Sequence, residues 1–171
     1  AIRLGRLLKN LLSPNAPAEV TGLLALMLLH DSRRDARLDE AGNLVTLEDQ
    51  DRTRWNTKQI NEAIPLVDEA LRGEAGPFTI EAAISAVHCR ASRAADTDWT
   101  QIVRLYEILQ QLMPSPVVSL NRAVAVAMAD GPNAGLRILE QLDSSGELTD
   151  YHLFHAARAD LLRRRDSRDD A

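Results

Sequence analysis

The sequence predicts an all-α protein, arranged as a right-handed stack of antiparallel helix pairs. Apolar residues recur at the three- and four-residue spacing of amphipathic helices over most of the 171 residues. Only 4% of the residues are aromatic although 45% are hydrophobic, and such alanine- and leucine-rich composition favours helix packing on helix. Proline, glycine and capping residues divide the pattern into short segments. At this length we expect one domain, residues 1–171.

In the first half, the spacing predicts a helix over residues 2–12 that ends before Pro14. The second helix begins near Pro17 and is apolar nearly all round, so we expect it to be central. A hairpin or irregular excursion follows at about residues 37–47. Asn56 and Gln59 have the spacing of a capping box at the start of a third helix. Pro65 lies inside that helix, where we expect a kink or break.

In the second half, we expect helix starts at Thr79, at Asp98 followed by Trp99, and at Ser115, which is followed by a proline. The segment 121–135 is echoed by 156–171 at a period of about 34 to 36 residues, close to that of tetratricopeptide repeats. This predicts a tetratricopeptide-like arrangement in the C-terminal half. Alanine-rich helical hairpins of unrelated folds produce a similar pattern.

Composition excludes several classes of function. A net charge of −5 and a pI of about 5.4 argue against a chain that binds nucleic acid by neutralising phosphates. Cys89 is the only cysteine, which excludes an internal disulfide and a multi-cysteine zinc site and is typical of the cytoplasm. No apolar run approaches the roughly 20 residues of a membrane span. The helical pattern starts at Ala1 without methionine or a capping residue, so we expect a piece of a longer protein.

Densely mixed charge occurs in two runs, residues 30–37 and 48–55. Each run is either a solvated linker or a cluster in which arginines grip carboxylates, with Trp55 as an apolar anchor. We favour the cluster. The candidate interaction residues in these runs are Arg33, Arg37, Asp49, Gln50, Asp51, Arg52 and Trp55.

The sequence does not support catalysis or a resident cofactor. Glu48, Asp49 and Asp51 could bind a hard cation, but nearby arginines can neutralise them and a calcium-loop spacing is absent. His152 and His155 lack a third metal ligand. His88 and Cys89 are adjacent on a helix and therefore point about 100° apart, which disfavours a nucleophile and base pair. We expect no metal site and no enzyme.

Six motifs in this order resemble the C-terminal extension of a group of bacterial extracytoplasmic-function RNA polymerase sigma factors. They are GLLALMLLHDSRR (22–34), LEDQDRTRW (47–55), AAISAVH (82–88), TDW (97–99), PSPVVSLNRAVA (114–125) and HAARADLL (155–162). By this resemblance the family motif residues also include Asp98, Trp99, Asn121 and Arg122. The family pattern offers no catalytic residue.

The resemblance implies a regulatory domain that modulates transcription initiation. Its partners would be core RNA polymerase, the N-terminal sigma domains of the same chain, and possibly a co-encoded regulatory protein. DNA would be contacted only through those N-terminal domains, and the location would be the cytoplasm. The alternative is a free-standing tetratricopeptide-like adaptor that captures a peptide.

Overall fold

The computed structural model describes residues 1–169, and the side chains of residues 1–167. The all-α prediction is confirmed, and within the described residues the only β-type pairing is one isolated bridge. The eight α-helices are α1 (Ile2–Leu12), α2 (Ala18–Ser32), α3 (Thr57–Leu71), α4 (Pro77–Arg90), α5 (Trp99–Leu112), α6 (Pro116–Asp130), α7 (Pro132–Ser145) and α8 (His152–Asp169). Contacts divide the chain into two compact units, Ala1–Asp98 and Trp99–Ala171.

In the first unit, α2 is the central helix, as predicted, and it packs against α1, α3 and α4. Leu24, Leu28 and Leu29 of α2 are almost completely buried. Gly22 lies where α2 meets α4, because a Cβ atom there would be only 2.5 Å from the Thr79 hydroxyl oxygen. The apolar composition of α2 therefore serves packing on several sides.

Two predicted helix features differ from the structure. Pro65 does not break α3, which is continuous from Thr57 to Leu71. The fourth helix begins at Pro77 and not at Thr79, since proline suits the first helical turn, where its missing N–H costs nothing. A carboxylate from another helix caps this end: Glu19 of α2 accepts hydrogen bonds from the backbone N–H groups of Gly76, Phe78 and Thr79 at 2.9–3.1 Å.

The excursion at residues 37–47 is a small hairpin. Leu38 and Leu44 form its single antiparallel bridge, and the Val45 N–H donates to the Arg37 carbonyl at 2.9 Å. The Gln50 side chain donates to the Val45 carbonyl at 3.2 Å, so the second charged run supports the hairpin. A two-stranded ribbon alone is marginal, and this contact connects it to the second charged run.

In the second unit, α6 packs against α5 and α7, and α7 packs against α8. Phe154 and Leu161 of α8 lie in one core cluster with Leu120 and Leu139. Helix α7 begins 33 residues after α5, and α8 begins 36 residues after α6. These intervals agree with a helix-pair repeat close to the predicted period. Residues 170 and 171 of the predicted echo lie outside the described residues.

Candidate functional site

Three predicted residues from the two charged runs meet in the first unit. Trp55 is 5% exposed and Arg33 is 9% exposed. The guanidinium carbon of Arg52 lies 4.7 Å from the centre of the Trp55 ring, and that of Arg33 lies 5.9 Å from it. Both distances are within the range of cation–π attraction. Trp55 is therefore the apolar anchor that the sequence predicted, and we call Arg33, Arg52 and Trp55 the arginine–tryptophan cluster.

Arg52 also closes the end of α4. Its Nη1 donates to the carbonyl oxygens of His88 and Ala91, both at 2.6 Å. The last carbonyl groups of an α-helix lack partners within the helix and carry partial negative charge, so a guanidinium is well suited to them. Arg37 acts similarly at the end of α2, where its Nη2 donates to the His30 carbonyl at 2.7 Å.

The prediction that arginines grip carboxylates is therefore wrong for Arg37 and Arg52, which donate to backbone carbonyls. It is correct for Arg34, which forms an ion pair with Asp31. The acceptors for these two arginines are carbonyl groups at helix C-termini. The spacing of charged residues along the sequence does not reveal them.

The acidic motif residues stabilise local turns. Asp49 accepts a hydrogen bond from the Thr46 hydroxyl at 2.6 Å. Asp51 accepts from the Thr53 N–H at 2.9 Å and from the Thr53 hydroxyl at 2.6 Å, and these bonds lower the pKa of Asp51. Asp51 thus caps the short 3-10 turn Arg52–Arg54, which presents Arg52 to α4. These contacts, together with that of Gln50 on the hairpin, give Asp49, Gln50 and Asp51 structural roles.

The first charged run contacts Gln59, and the sequence did not predict this contact. The Gln59 side chain donates to the Asp31 carboxylate at 2.7 Å instead of returning to Asn56, as a full capping box would require. The backbone N–H of Asn56 is already bonded to the Ser32 carbonyl at 2.8 Å, which explains the difference. Only the Asn56 half of the box is present, with the Gln59 N–H donating to its side chain at 3.2 Å.

Burial is the largest cause of the pKa shifts of His88 and Cys89, which lie near the arginine–tryptophan cluster. Burial and the charges of Arg33 and Arg52 lower the pKa of His88 to about 4, so this histidine is neutral at pH 7. Burial also raises the pKa of the Cys89 thiol, although Arg33 lies nearby. Cys89 is therefore a thiol and not a reactive thiolate at pH 7. Within residues 1–169, no three histidine, cysteine, aspartate or glutamate residues are grouped to hold a metal ion.

The other predicted motif residues follow the cluster in the chain. Asp98 is the last residue of the first unit, and α5 begins directly after it at Trp99. Asn121 and Arg122 lie on α6 in the second unit, where Asn121 is exposed and Arg122 is partly buried. On the same helix, the Ser115 side chain accepts a hydrogen bond from the Val117 N–H at 3.3 Å, as its predicted capping role requires.

Comparison with known proteins gives similarity without a function. Residues 1–71 match the model of a family of unknown function, DUF6596. An uncharacterized protein of Rhizobium meliloti (strain 1021) is 48% identical over 164 residues, which is 95% of this chain. The chain spans 38% of the length of that relative. No solved structure matches the chain. No helix in the described part of the chain is long and apolar enough to cross a membrane.

Proposed function

We propose that this chain is a non-catalytic protein-interaction domain of a bacterial extracytoplasmic-function sigma factor. In this role it modulates transcription initiation in the cytoplasm through contacts with the sigma domains, with core RNA polymerase, or with a co-encoded regulatory protein. The six ordered motifs that resemble the sigma-factor extension support the assignment to this class. The exposed leucine face of α1 is the structural observation that carries the interaction role.

The leucine face of α1 consists of Leu4, Leu7 and Leu11, which are 69%, 52% and 73% exposed. Gly5 is the residue that approaches α2, since a Cβ there would lie 2.6 Å from the Met27 methyl carbon. The spacing of three and four residues places the leucines on one stripe of the helix, on the side away from Gly5. A contiguous apolar stripe on a protein surface is typical of an interaction site.

Ion pairs fix the orientation of this helix. Arg6 donates two hydrogen bonds to the Glu62 carboxylate, both at 2.8 Å, and Lys9 lies 2.9 Å from a carboxylate oxygen of Glu69. Both acids are on α3. The basic side of α1 therefore faces α3, while the leucine face is exposed to solvent. A partner that covers this face in only one of two states would shift the equilibrium between those states.

The test is run-off transcription by core RNA polymerase with a sigma factor that carries this chain. A variant with Leu4→Gln, Leu7→Gln and Leu11→Gln removes the apolar face, and we expect a changed transcript yield. The matched control is Arg3→Gln with Asn10→Gln, two exposed positions on the same helix. Far-UV circular dichroism checks that both variants keep the wild-type helix content. A transcript yield that is the same for wild type and the leucine variant would overturn the proposal.

A further inference from the structure

We propose that the arginine–tryptophan cluster is a binding site for one carboxylate group. The ligand is a monovalent carboxylate, on a small acid or on an acidic side chain of a peptide. This site is separate from the leucine face of α1, and the inference does not depend on the proposed role in transcription.

Unused hydrogen-bond donors are the first observation. The Nε atoms of Arg33 and Arg52 and the indole Nε1 of Trp55 are buried, and none has an acceptor among the described residues. All three groups can only donate at these atoms, so each needs an acceptor that the described residues do not supply. A buried N–H group without an acceptor destabilises the folded protein, and a bound oxygen ligand would remove that cost.

The balance of charge is the second observation. The charge of Arg52 is offset by the nearby carboxylate of Asp96, and its Nη1 donates to two carbonyl groups at the end of α4. Arg33 is more than nine-tenths buried and pairs with no carboxylate in the described part of the chain. Its pKa is lowered by burial first, and Arg37 and Arg52 add to the effect. One positive charge at this site therefore lacks a counter-charge.

Neighbouring ionisable groups do not supply that charge. His88 is neutral at pH 7, and the Cys89 thiol is protonated. One uncompensated charge calls for a monoanion. The arginine fork matches the two oxygens of a carboxylate, and the indole N–H can donate to an oxygen as well. Arg33 keeps 9% of its surface exposed.

Titration of the whole chain with sodium acetate tests the site, with sodium chloride balancing the ionic strength. The indole N–H signal of Trp55 in nitrogen–proton correlation spectra reports binding, and that of Trp99, in the other unit, is an internal control. We expect a saturable shift for Trp55 that is lost in Arg33→Met, while the Trp99 signal stays in place. A second arm with an acetylated, amidated Gly-Asp-Gly tripeptide distinguishes a peptide side chain from a small acid, and saturation by either ligand supports the site.

Three results would overturn the inference. The first is the absence of saturation by both carboxylates, and the second is a Trp55 shift that persists in Arg33→Met. The third is saturation by inorganic phosphate when neither carboxylate binds. If Arg33→Met does not fold, the Nε–H signal of Arg33 in the wild-type chain is measured instead. A bound carboxylate must shift this signal and slow its exchange with water, and a signal that does neither would overturn the inference.

Discussion

The carboxylate of Glu19, in the first turn of α2, accepts a hydrogen bond from the backbone N–H of Thr79 at 2.9 Å, and so caps a helix 60 residues further along the chain. The same carboxylate accepts from the Thr79 hydroxyl at 2.8 Å and from the N–H groups of Gly76 and Phe78. A negative charge at this end of α4 also interacts favourably with the helix dipole. One side chain thus fixes where α4 starts and where it lies against α2.

Replacement of Glu19 by alanine should destabilise the first unit by about 2 kcal/mol, because several N–H groups at the start of α4 lose their acceptor. Glu19→Gln should cost less, since an amide oxygen can still accept while the charge is lost. Urea denaturation followed by circular dichroism measures the free energy of unfolding. The matched control is Glu74→Ala, an exposed acid close to the same helix end, and an equal loss in the control would contradict the capping role.

Replacement of Arg52 by lysine should also destabilise the first unit, by about 1–3 kcal/mol. Lysine keeps the charge but loses the planar group that lies 4.7 Å from the Trp55 ring centre while bonding two carbonyl groups. Arg54→Lys is the matched control, because Arg54 is an exposed residue in the same 3-10 turn. Trp55 fluorescence in a Trp99→Phe background follows urea unfolding of this unit. If Arg52→Lys were as stable as the control, the guanidinium would not be the group that caps the C-terminus of α4.

Local sequence signals predicted several helix starts. The Asn56 and Ser115 caps lie at the helix starts that the sequence predicted, whereas the break expected at Pro65 is wrong, since α3 continues through it. Capping involves residues two or three apart, so it can be recognised from the sequence. Glu19 and Thr79 are 60 residues apart, and their contact exists only because α2 and α4 pack together. No local pattern contains that information.

The sequence predicted which residues form the candidate site, but it did not predict their hydrogen-bond partners. The sequence pointed to Arg33, Arg52 and Trp55, and the structure brings these three residues together. It also suggested carboxylate partners, whereas Arg52 bonds carbonyl groups at the end of α4. Backbone acceptors have no signature in the side-chain sequence, so an arginine close to many acids is easily assigned to the wrong partner.

His88 should make folding stability depend on pH. Its pKa is lowered to about 4 in the folded state against an ordinary value of 6.5, so between these values the unfolded chain binds more protons. The contribution of His88 to stability is fully present above pH 6.5 and is lost as the pH falls towards 4. The loss amounts to about 3 kcal/mol at 1.36 kcal/mol per pKa unit.

Urea denaturation at several pH values between 4 and 8 checks this prediction. His88→Gln should flatten the pH dependence relative to wild type, whatever its effect on stability at pH 8. The control is His152→Gln, a substitution of an exposed histidine on α8 in the second unit. An unaltered slope in His88→Gln would show that other groups cause the acid sensitivity.

Gly135 allows α7 to approach α6 and α8 closely. A Cβ atom at this position would lie 2.6 Å from the Ala123 carbonyl oxygen, 2.6 Å from the Ala127 Cβ and 3.0 Å from a methyl carbon of Leu161. Alanine would normally stabilise a helix by up to about 1 kcal/mol relative to glycine. Here the clash involves backbone and short side chains that cannot rotate away, so the helices must separate.

We therefore expect Gly135→Ala to destabilise the second unit by about 1–3 kcal/mol, the usual cost of overpacking. Urea unfolding followed by Trp99 fluorescence in a Trp55→Phe background measures the change in this unit. Asn133→Ala, an exposed position in the first turn of the same helix, is the control for helix propensity. Because propensity and packing predict opposite signs for Gly135→Ala, a gain in stability would mean that α6 and α7 do not pack this closely in solution.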